Sequence, residues 1–490
     1  MSTDLIKQAN LKGILVIVSF LLYASILLGI VWFTYKKNTT ESDFVLGNRS
    51  LNFWVTAISA HASDMSAWIF MGYPALIFLT GVSSAWIGVG LVVGMFSNWH
   101  FVAPKLRVLT EKYNSLTLST FLETRFHDHT GFIRVTSGLI CILFFTFYVA
   151  SSLVALGLVF DIVFKIPYTG GVAIGVFIAV LYTIFGGYLT VAWTDLFQGL
   201  FLVTMIVLVP VVGIFKLGGT EAIQAGAALR NISLKFIPSF EFSEWLTIVG
   251  LILSWGLGYF GQPHILTKFM GLKNPKDMYK SKYFGTTYQL FVVGAATFSA
   301  IVAIGYFKNG IDNSELIFIK MTQDLFYPFV AGLVLCGIIA ASISTMETQI
   351  LVQASVISED IYKRIFKPKA SAKELLWVSR GAVLLVALLA FFIAFYKVSS
   401  IYNLVLYSWA GLGASFGPII LLSLYSKKIN RHGAIAALLT GAITASVWTY
   451  VNTMFKYKIP EIIPAFALSL CAAYLFSYLA RNKFSPHKDS

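Results

Sequence analysis

One carboxylate stands inside a long apolar stretch of this sequence. Asp64 lies in the segment Ser59–Trp68, and apart from it, and His61 if protonated, no residue between Asn52 and Phe78 is charged. A helix needs about 20 apolar residues to cross a bilayer core of about 30 Å, so Asp64 is expected near the middle of the membrane. An ionised carboxylate at that depth is costly unless a cation or water reaches it. The segment therefore predicts an ion or substrate site, with a structural acid bonded to a neighbouring helix as the alternative.

A second stretch combines aromatic side chains with residues that interrupt helices. The segment Ser254–His264 contains three glycines and one proline in eleven residues. Non-helical backbone at membrane depth is tolerated only where it is buried in protein or lines a cavity. Trp255 and Tyr259 are four residues apart and would share a face that covers an apolar ring and a cationic amine. Free amides at the start of a half-helix attract a carboxylate, so the stretch indicates a site for a small zwitterion; ordinary aromatic packing is the alternative.

Two adjacent hydroxyl groups form a third candidate. Ser344 and Thr345 lie in the segment Ala340–Met346, whose small residues would let another helix approach closely. If the chain is unwound at Ala62–Met65, the freed carbonyl oxygens and these hydroxyls would together suit sodium, a hard cation that binds oxygen. Ser and Thr in helices more often bond the carbonyl of their own preceding turn, and the residues alone leave that alternative open.

The composition places these stretches in a membrane protein. Of the 490 residues, 57% are hydrophobic and 12% are charged, which is too apolar for a soluble domain. The net charge of +14 is spread over short connectors, so we expect no nucleic-acid partner. Cys141, Cys336 and Cys471 lie in apolar runs without paired spacing, and we expect them to be inert, with no disulfide framework and no metal site.

Apolar runs bounded by charged or turn residues predict an all-α polytopic membrane protein of about 13 transmembrane helices. Connectors on one side carry 24 of the 36 Lys and Arg residues, which predicts an N-terminus outside and a cytoplasmic C-terminus. The first run has no cleavage pattern, so we expect it to be retained as a spanning helix. The predicted spans are 13–34, 52–80, 84–104, 135–163, 167–186, 190–215, 245–267, 283–306, 325–353, 375–396, 401–424, 433–454 and 460–480.

The two interrupted runs are the second and the seventh, five spans apart. Paired interruptions at corresponding helices of two halves indicate an inverted-repeat secondary transporter. We therefore expect a single transporter domain over residues 1–490, with its two repeats at 52–215 and 245–424. An extra N-terminal helix at 13–34 and two extra C-terminal helices at 433–480 would complete the domain.

Five stretches of this sequence resemble the motifs of the sodium/solute symporter family, in the family's order. The similarity extends from about residue 40 to residue 480, and the aromatic and proline set of the fourth stretch is similar to the family's proline-carrying members. The stretches are S-A-H-A-S-D-M-S-A-W-I-F-M-G (59–72), F-F-T-F-Y-V-A-S (144–151), Y-T-I-F-G-G-Y-L-T-V-A-W-T-D-L-F-Q (182–198), W-G-L-G-Y-F-G-Q-P-H-I-L (255–266), and I-S-T-M-E-T-Q (343–349) followed by S-E-D-I-Y-K (358–363).

The resemblance implies a LeuT-type fold of two inverted five-helix repeats, with a sodium site between spans two and nine. The main-chain carbonyl groups of Ala62, Met65 and Ala341 would bind the ion. The hydroxyl groups of Ser344 and Thr345 would complete the site, which favours the functional interpretation of this pair.

The resemblance also implies roles for residues around this site. Asp64, assisted by Ser66, would couple the cation to the substrate as a nearby charge. Arg49 would take part in ion coupling on the inner side, and Asp195 would belong to the route by which sodium leaves. The substrate residues would be Trp255, Tyr259 and Pro263, with Tyr148 as a gate.

Two positions depart from the family's pattern. Ala67 stands where glycine usually follows the Asp-Met-Ser triplet, and one extra methyl group in a tightly packed segment would shift affinity or substrate range. Glu347 stands where a small polar residue is usual, about one turn from Ser344. It would face the inner water cavity and attract sodium on release, or pair with a base. Its presence leaves open which ion is coupled to transport.

The predicted function is sodium-coupled import of L-proline through a bacterial inner membrane by alternating access. Sodium is the expected coupling ion, no other cofactor is expected, and the protein is expected to work as a monomer in the lipid bilayer. The nearest alternatives are a related amino or organic acid as substrate, or proton coupling through Asp64 and Glu347. A pore is a weaker alternative, because broken helices also occur in channels.

Two other classes of protein are not expected. A kinase-linked sensor is disfavoured because ten mostly polar residues follow the last predicted span. An enzyme is disfavoured because the sequence contains no recognisable nucleophile–base pair, phosphate loop or metal-ligand cluster. His61 and His264 are isolated, and we expect both to be structural.

Overall fold

The computed structural model describes residues 3–35, 41–455 and 458–484 of the chain. Within these ranges the regular structure is helical, and Leu51 and Leu272 form an isolated parallel bridge. The helices α1 to α19 are, in chain order, Thr3–Tyr35, Glu41–Leu46, Phe53–Met65, Gly72–Thr80, Trp86–Ser97, Ala103–Lys112, Leu118–Arg125, Phe132–Phe164, Tyr168–Leu217, Glu221–Leu229, Phe242–Gly256, Pro263–Met270, Met278–Tyr306, Ile317–Leu325, Pro328–Ser355, Ala372–Phe395, Ile401–Tyr425, Arg431–Val451 and Ile462–Phe484.

Polar residues and prolines mark where several helices begin. Asn52, Ser371 and Ser400 each precede a helix and accept a hydrogen bond from a backbone N–H group of its first turn. Pro328 occupies the first turn of α15, where the missing N–H group leaves no helical bond unmade. Local sequence therefore explains these starts without reference to tertiary packing.

The described helices identify a multi-pass membrane protein. Ten helical segments are long and apolar enough to cross a bilayer, and the bent pair α3–α4 would make an eleventh. The expected count of thirteen is not confirmed by length and composition alone. The predicted span 167–186 is represented by the shorter apolar helix Tyr168–Ile184, and the predicted span 245–267 is divided between α11, of 15 residues, and α12, of 8 residues.

The second predicted span is broken immediately after Asp64. Helix α3 ends at Met65 because Ser66 adopts φ 38° and ψ −177°, a conformation that cannot continue a right-handed helix. A short 3₁₀ turn, Ala67–Ile69, follows, and the direction of the chain changes by 68° between α3 and the segment Ala67–Thr80. The predicted interruption of this span is present, one residue beyond the segment Ala62–Met65 expected to unwind.

The seventh predicted span is broken at its glycines and proline. Helix α11 ends at Gly256, a 3₁₀ segment covers Leu257–Gly261, and Gln262 is extended with φ −92° and ψ 100°. Helix α12 then starts with Pro263 in its first turn, where proline is favoured. The predicted interruption is therefore present, and its end coincides with the proline.

A third break lies in the predicted connector at residues 187–189. Within α9, Gly187 has φ 64° and ψ −178°, which is open to glycine but strained for other residues. It separates the predicted fifth and sixth spans, which otherwise follow one another as continuous helix. The sequence signal was the pair Gly186–Gly187 between two apolar runs.

The helices that surround the breaks are the most deeply buried. Helix α15 packs against α3, α8 and α9, and α17 packs against α8 and the 3₁₀ segment of the seventh span. In the most apolar part of α15, and likewise of α17, 83% of the residues are buried. The corresponding fraction in Leu11–Thr34 of α1 is 17%. Large apolar side chains such as Leu21 and Leu385 are exposed on α1 and α16, as expected for helices that face lipid.

Candidate ion and substrate site

Asp64 lies where the two broken spans meet. Its side chain is buried, with a relative exposure of 4% for the residue. The hydroxyl group of Tyr259 donates a hydrogen bond of 2.5 Å to Asp64 Oδ2, and the hydroxyl group of Tyr148 is 3.3 Å from the carbonyl oxygen of Asp64, to which it donates. The structure thus joins an acid of the second span directly to an aromatic residue of the seventh.

The oxygen atoms expected to bind sodium lie on facing segments of α3 and α15. Ser344 Oγ is 3.0 Å from the carbonyl oxygen of Ala62 and 3.2 Å from that of Ala341. Thr345 Oγ1 accepts a 3.0 Å hydrogen bond from the backbone N–H group of Ser66. Met65 is the last residue of α3, where helical carbonyl groups lose their partners.

These contacts suit a small hard cation. Carbonyl and hydroxyl oxygens from two helices converge at one point, and sodium binds such oxygen atoms. Ser342, two residues earlier on the same helix, bonds the carbonyl oxygen of Ile338 in its own helix, at 2.8 Å. Ser344 differs from it because its hydroxyl group contacts a carbonyl oxygen of its own helix and also one of α3.

The expected substrate residues belong to a larger group of rings. The aromatic cluster comprises Trp68, Trp255, Tyr259 and Trp409. Trp68 stacks on Trp255 with centroids 4.6 Å apart and an angle of 16° between the rings. Trp409 lies 5.7 Å from Trp255 and meets Tyr259 edge-on at 4.9 Å. Trp68 and Trp409 were not predicted to belong to the site. Trp68 lies in the stretch 59–72 that resembles the family, but no local feature indicates that it faces the seventh span.

Pro263 occupies a different place from the aromatic cluster. It begins α12 and lines a separate cavity together with Cys141, Thr267 and Thr348. This cavity extends to residues 116–117 of the connector before α7 and to the first two residues of α7. No residue of the aromatic cluster lines this cavity, and the role of Pro263 as a substrate residue stays a prediction.

Side-chain amides hold the broken seventh span in shape. Asn98 Nδ2 donates to the carbonyl oxygen of Tyr259 at 2.9 Å. Gln262 Nε2 donates to the carbonyl oxygens of Gly258 and Trp409, both at 3.2 Å. Buried carbonyl groups without helical partners must be satisfied by other donors, and these two amides supply them. Asn98 gave no sequence signal, since its role depends on a partner 161 residues away.

Asp195 is part of a buried ion pair with Lys268. Its Oδ2 atom is 2.8 Å from Lys268 Nζ, and both side chains have no exposed surface. Ser59 Oγ donates to the same oxygen at 2.6 Å. Lys268 was counted in a connector by sequence analysis, yet the structure places it in α12 within the protein.

Glu347 is buried beside this pair. Its Oε2 atom accepts a 3.2 Å hydrogen bond from Thr194, while Oε1 has no hydrogen-bond partner among the described residues. A buried carboxylate oxygen without a partner carries a desolvation cost. Glu347 is buried and forms no ion pair with a base among the described residues, and its attraction of sodium on release stays a prediction.

Arg49 binds main-chain carbonyl groups at the ends of several segments. Its guanidinium group donates to the carbonyl oxygens of Met270, Thr110 and Ser115 at 2.7, 3.0 and 2.9 Å. Burial, together with the charge of Arg107, lowers the pKa of Arg49 to about 10, so it is protonated at neutral pH. In this structure Arg49 fastens the entry of the second span to the end of the broken seventh span.

The two isolated histidines differ. His61 Nε2 accepts a 3.2 Å hydrogen bond from the indole N–H group of Trp99, and its Nδ1 has no partner among the described residues. His264 packs its ring against Phe145 and Tyr148, and neither of its nitrogens has a partner among the described residues. His264 is therefore not the satisfied structural group that was expected. The three cysteines are all free, with Cys141 and Cys336 buried and Cys471 exposed.

The fold and site together define a class of protein. A membrane-spanning helical domain that breaks two helices around a buried acid, a convergent set of cation-type oxygens and an aromatic cluster has the features of a cation-coupled secondary transporter. The sequence model of the sodium:solute symporter family matches residues 44–441, and the chain belongs to this family. It is therefore a transporter and not an enzyme.

Relatives cover nearly the whole chain. The high-affinity proline transporter PutP of Bacillus subtilis is 40% identical over 470 residues, which are 94% of this chain and 98% of that protein. The sodium/proline symporter of Escherichia coli K12 is 38% identical, covering 94% of this chain and 92% of its own length. The osmoregulated proline transporter OpuE of Bacillus subtilis is 37% identical, covering 95% of both chains.

Solved structures support the fold. A Na⁺-coupled sialic acid symporter in a substrate-bound outward-open state superposes with a TM-score of 0.79 at 18% identity, covering 97% of this chain and 99% of its own. A nucleobase-cation-symport-1 family transporter in a closed conformation gives a TM-score of 0.56 at 15% identity, covering 91% and 95%. At these identities the likeness concerns the arrangement of helices.

Proposed function

We propose that this chain imports L-proline together with sodium across the bacterial inner membrane. The observation that carries the proposal is the bond between Asp64 and Tyr259, which joins the ion residues of the second span to the substrate residues of the seventh. Relatives that cover over nine-tenths of the chain are named proline transporters or sodium/proline symporters. Sodium is the coupling ion, and no other cofactor takes part.

Sodium binds between α3 and α15. The carbonyl groups of Ala62, Met65 and Ala341 and the hydroxyl groups of Ser344 and Thr345 face it, and the Ser344–Ala62 contact already brings two of these oxygens to 3.0 Å. Asp64 balances its charge, and Ser66, whose N–H group bonds Thr345, holds the break in the geometry that the ion needs.

Proline binds against the aromatic cluster on the other side of Asp64. The indole of Trp255 and the ring of Tyr259 cover its apolar ring and its secondary ammonium group, because π-faces attract cations. Tyr148, which bonds the main chain at Asp64, closes the site as a gate. Pro263, at the start of α12 beside the same break, completes the substrate site.

The transport cycle follows from this arrangement. Sodium entering from outside orders the break after Met65 and completes the proline site, after which the core turns to face the cytoplasm. Asp195 lies on the exit route of sodium, and Arg49 maintains the inner ends of the broken spans. One charge crossing about 100 mV supplies about 2.3 kcal/mol, and a tenfold sodium gradient adds about 1.4 kcal/mol. Together they support about 500-fold accumulation at one-to-one coupling.

The architecture proposed for this cycle is a pair of inverted repeats. Spans two to six, residues 52–215, form one repeat and spans seven to eleven, residues 245–424, form the other, with the remaining three of thirteen spans outside them. The breaks at Ser66 and Gln262 occur at corresponding places in the two halves. The N-terminus is outside and the C-terminus cytoplasmic. One chain holds every proposed ligand, so the monomer is the functional unit.

Uptake of labelled L-proline into membrane vesicles of a proline-transport-deficient bacterium tests the proposal. A sodium gradient should drive accumulation, and replacing sodium by choline at constant pH and membrane potential should abolish it. Vesicles from cells with an empty vector provide the control. Unchanged uptake in choline, or drive by a proton gradient alone, would refute sodium coupling. Stronger sodium-driven uptake of another amino or organic acid would refute proline as the substrate.

A further inference from the structure

Gln289 contacts the Tyr259–Asp64 pair from a helix that carries none of the expected site residues. It lies in α13, which packs against α3 and α5, and its side chain is buried. Its Nε2 atom is 2.7 Å from Tyr259 Oη, to which it donates. The Tyr259 hydroxyl in turn donates to Asp64 Oδ2 at 2.5 Å. The three side chains therefore form one chain of hydrogen bonds through three helical segments.

The direction of these bonds follows from the number of protons. A phenol has one hydrogen, and an amide nitrogen can only donate. If the Gln289 oxygen faced Tyr259, the phenolic hydrogen would be drawn to it, and the phenolic oxygen would be left 2.5 Å from an ionised carboxylate oxygen without a hydrogen between them. The amide nitrogen is thus the group that must face Tyr259, and it leaves the single phenolic hydrogen for Asp64.

This chain of bonds connects the two ligand sites. Asp64 precedes Met65, a proposed sodium ligand, and Tyr259 belongs to the aromatic cluster. We propose that Gln289 is a positioning residue that keeps the Tyr259 hydroxyl directed at Asp64, so that sodium binding strengthens proline binding. The proposal rests on the proposed function, since it concerns how the two sites of that function are coupled.

The chain supplies a chemically matched control. Gln198 is also buried, and its Nε2 atom donates to the hydroxyl group of Tyr23 at 3.1 Å. That bond joins α9 to the peripheral helix α1 and touches neither broken span. Replacing Gln198 by methionine therefore measures what the loss of a buried Gln–Tyr bond does by itself. Methionine has nearly the volume and flexibility of glutamine but has no amide donor.

The experiment measures labelled proline binding by the purified full-length protein in detergent, with and without saturating sodium. Its readout is the ratio of the two proline dissociation constants, which is the sodium effect. We expect Gln289→Met to reduce this ratio at least about fivefold, the lower end of usual coupling between sites. The number of proline sites at saturating sodium should be unchanged, and Gln198→Met should keep the native ratio.

A double substitution tests the route of the effect. If Gln289 acts through the Tyr259 hydroxyl, then Gln289→Met should change the ratio no further in a Tyr259→Phe background. A native ratio in Gln289→Met, or an equal additional loss in the Tyr259→Phe background, would overturn the proposal. Should Gln289→Met fail to fold, a native ratio in Tyr259→Phe alone would overturn it. A native protein that shows no sodium effect contradicts the proposed function instead.

Discussion

Asp64 is the residue at which the proposed ion and substrate sites meet. A buried carboxylate in a membrane needs compensation, and its side chain receives one hydrogen bond from Tyr259. In the proposed site, the adjacent oxygens of Ala62, Ser344 and Thr345 would hold a cation close enough to balance the remaining charge. In the proposed cycle the acid is therefore most stable when sodium is bound, which makes occupancy of the ion site a condition for ordering the substrate site.

Replacing Asp64 by asparagine tests this charge. We expect Asp64→Asn to lower sodium-driven proline uptake at least about 100-fold, because interactions of a charged group of this kind contribute about 3 kcal/mol. Uptake of labelled proline, normalised to the amount of protein in the membrane, is the measurement. Asp161→Asn, at an exposed carboxylate near the end of α8, is the control and should transport normally. Near-native uptake by Asp64→Asn would contradict the role of the charge.

Substitutions in the hydroxyl pair and in the aromatic cluster should change different kinetic constants, the first the sodium requirement and the second the KM for proline. Ser344→Ala with Thr345→Ala removes two cation oxygens, so the sodium concentration for half-maximal uptake should rise at least about tenfold, equivalent to 1.4 kcal/mol. Trp255→Ala should instead raise the KM for proline at saturating sodium by a similar factor. Sodium and proline titrations of uptake are the measurements.

Ser342 provides the control for the hydroxyl pair. It bonds its own helix at Ile338, so Ser342→Ala should leave the sodium titration unchanged. If Ser342→Ala raised the sodium requirement as much as the double substitution does, the effect would come from packing of α15 and not from loss of ion ligands.

The helical elements are shaped by three breaks and by the groups that satisfy them. Two breaks occur at the site, after Met65 and at Gln262, and the third is at Gly187 in α9. Side-chain amides replace the helical donors that the seventh span loses, with Asn98 on one side of the break. Interrupted helices therefore persist in the membrane because other helices supply the missing hydrogen bonds.

Gly187 gives a test of the third break. Gly187→Ala should destabilise the protein by about 1–3 kcal/mol, because φ 64° with ψ −178° is strained for any residue with a Cβ atom. Gly294→Ala, within α13 where an added Cβ meets nothing within 4 Å, should be neutral or slightly stabilising. Thermal unfolding in detergent is the measurement. Equal midpoints for the two variants would show that the backbone at Gly187 relaxes freely.

The whole molecule is organised by burial around the breaks. Helices α8, α15 and α17 are largely enclosed, while α1 and α16 present apolar surface outward. The basic residues are concentrated on one side of the predicted spans, which indicates that side as cytoplasmic. We therefore predict an N-terminus outside and a cytoplasmic C-terminus, an arrangement that requires an odd number of crossings.

Reporter fusions test this topology. A green fluorescent protein fused after Ser490 should be fluorescent, because it folds in the cytoplasm, whereas alkaline phosphatase at the same position should be inactive. Alkaline phosphatase fused in the connector after α9, residues 218–220, should be active. The reverse pattern would invert the orientation, and cytoplasmic reporters at both termini would require an even number of crossings.

Much of this architecture was readable from local composition. Apolar run lengths predicted a polytopic helical protein, and the glycines and proline of Ser254–His264 predicted the break that α11 and α12 show. Asp64 stood out because a charge inside an apolar run is rare for energetic reasons. The break beside it was also expected, although its place after Met65 depends on the conformation of Ser66.

The remaining features depend on contacts between distant parts of the chain. Gln289 and Asn98 are ordinary polar residues by local pattern, and they matter because folding brings both to Tyr259. In the sequence, Lys268 comes directly after the predicted span 245–267 and resembles a connector lysine. In the structure it lies within α12, and its ammonium group contacts Asp195. The pattern of apolar residues predicts which segments are buried in the membrane or the protein, because the free energy of transfer from water depends on each residue's own side chain. Hydrogen bonds and ion pairs depend on two groups meeting at about 3 Å, and only the packed helices establish those distances.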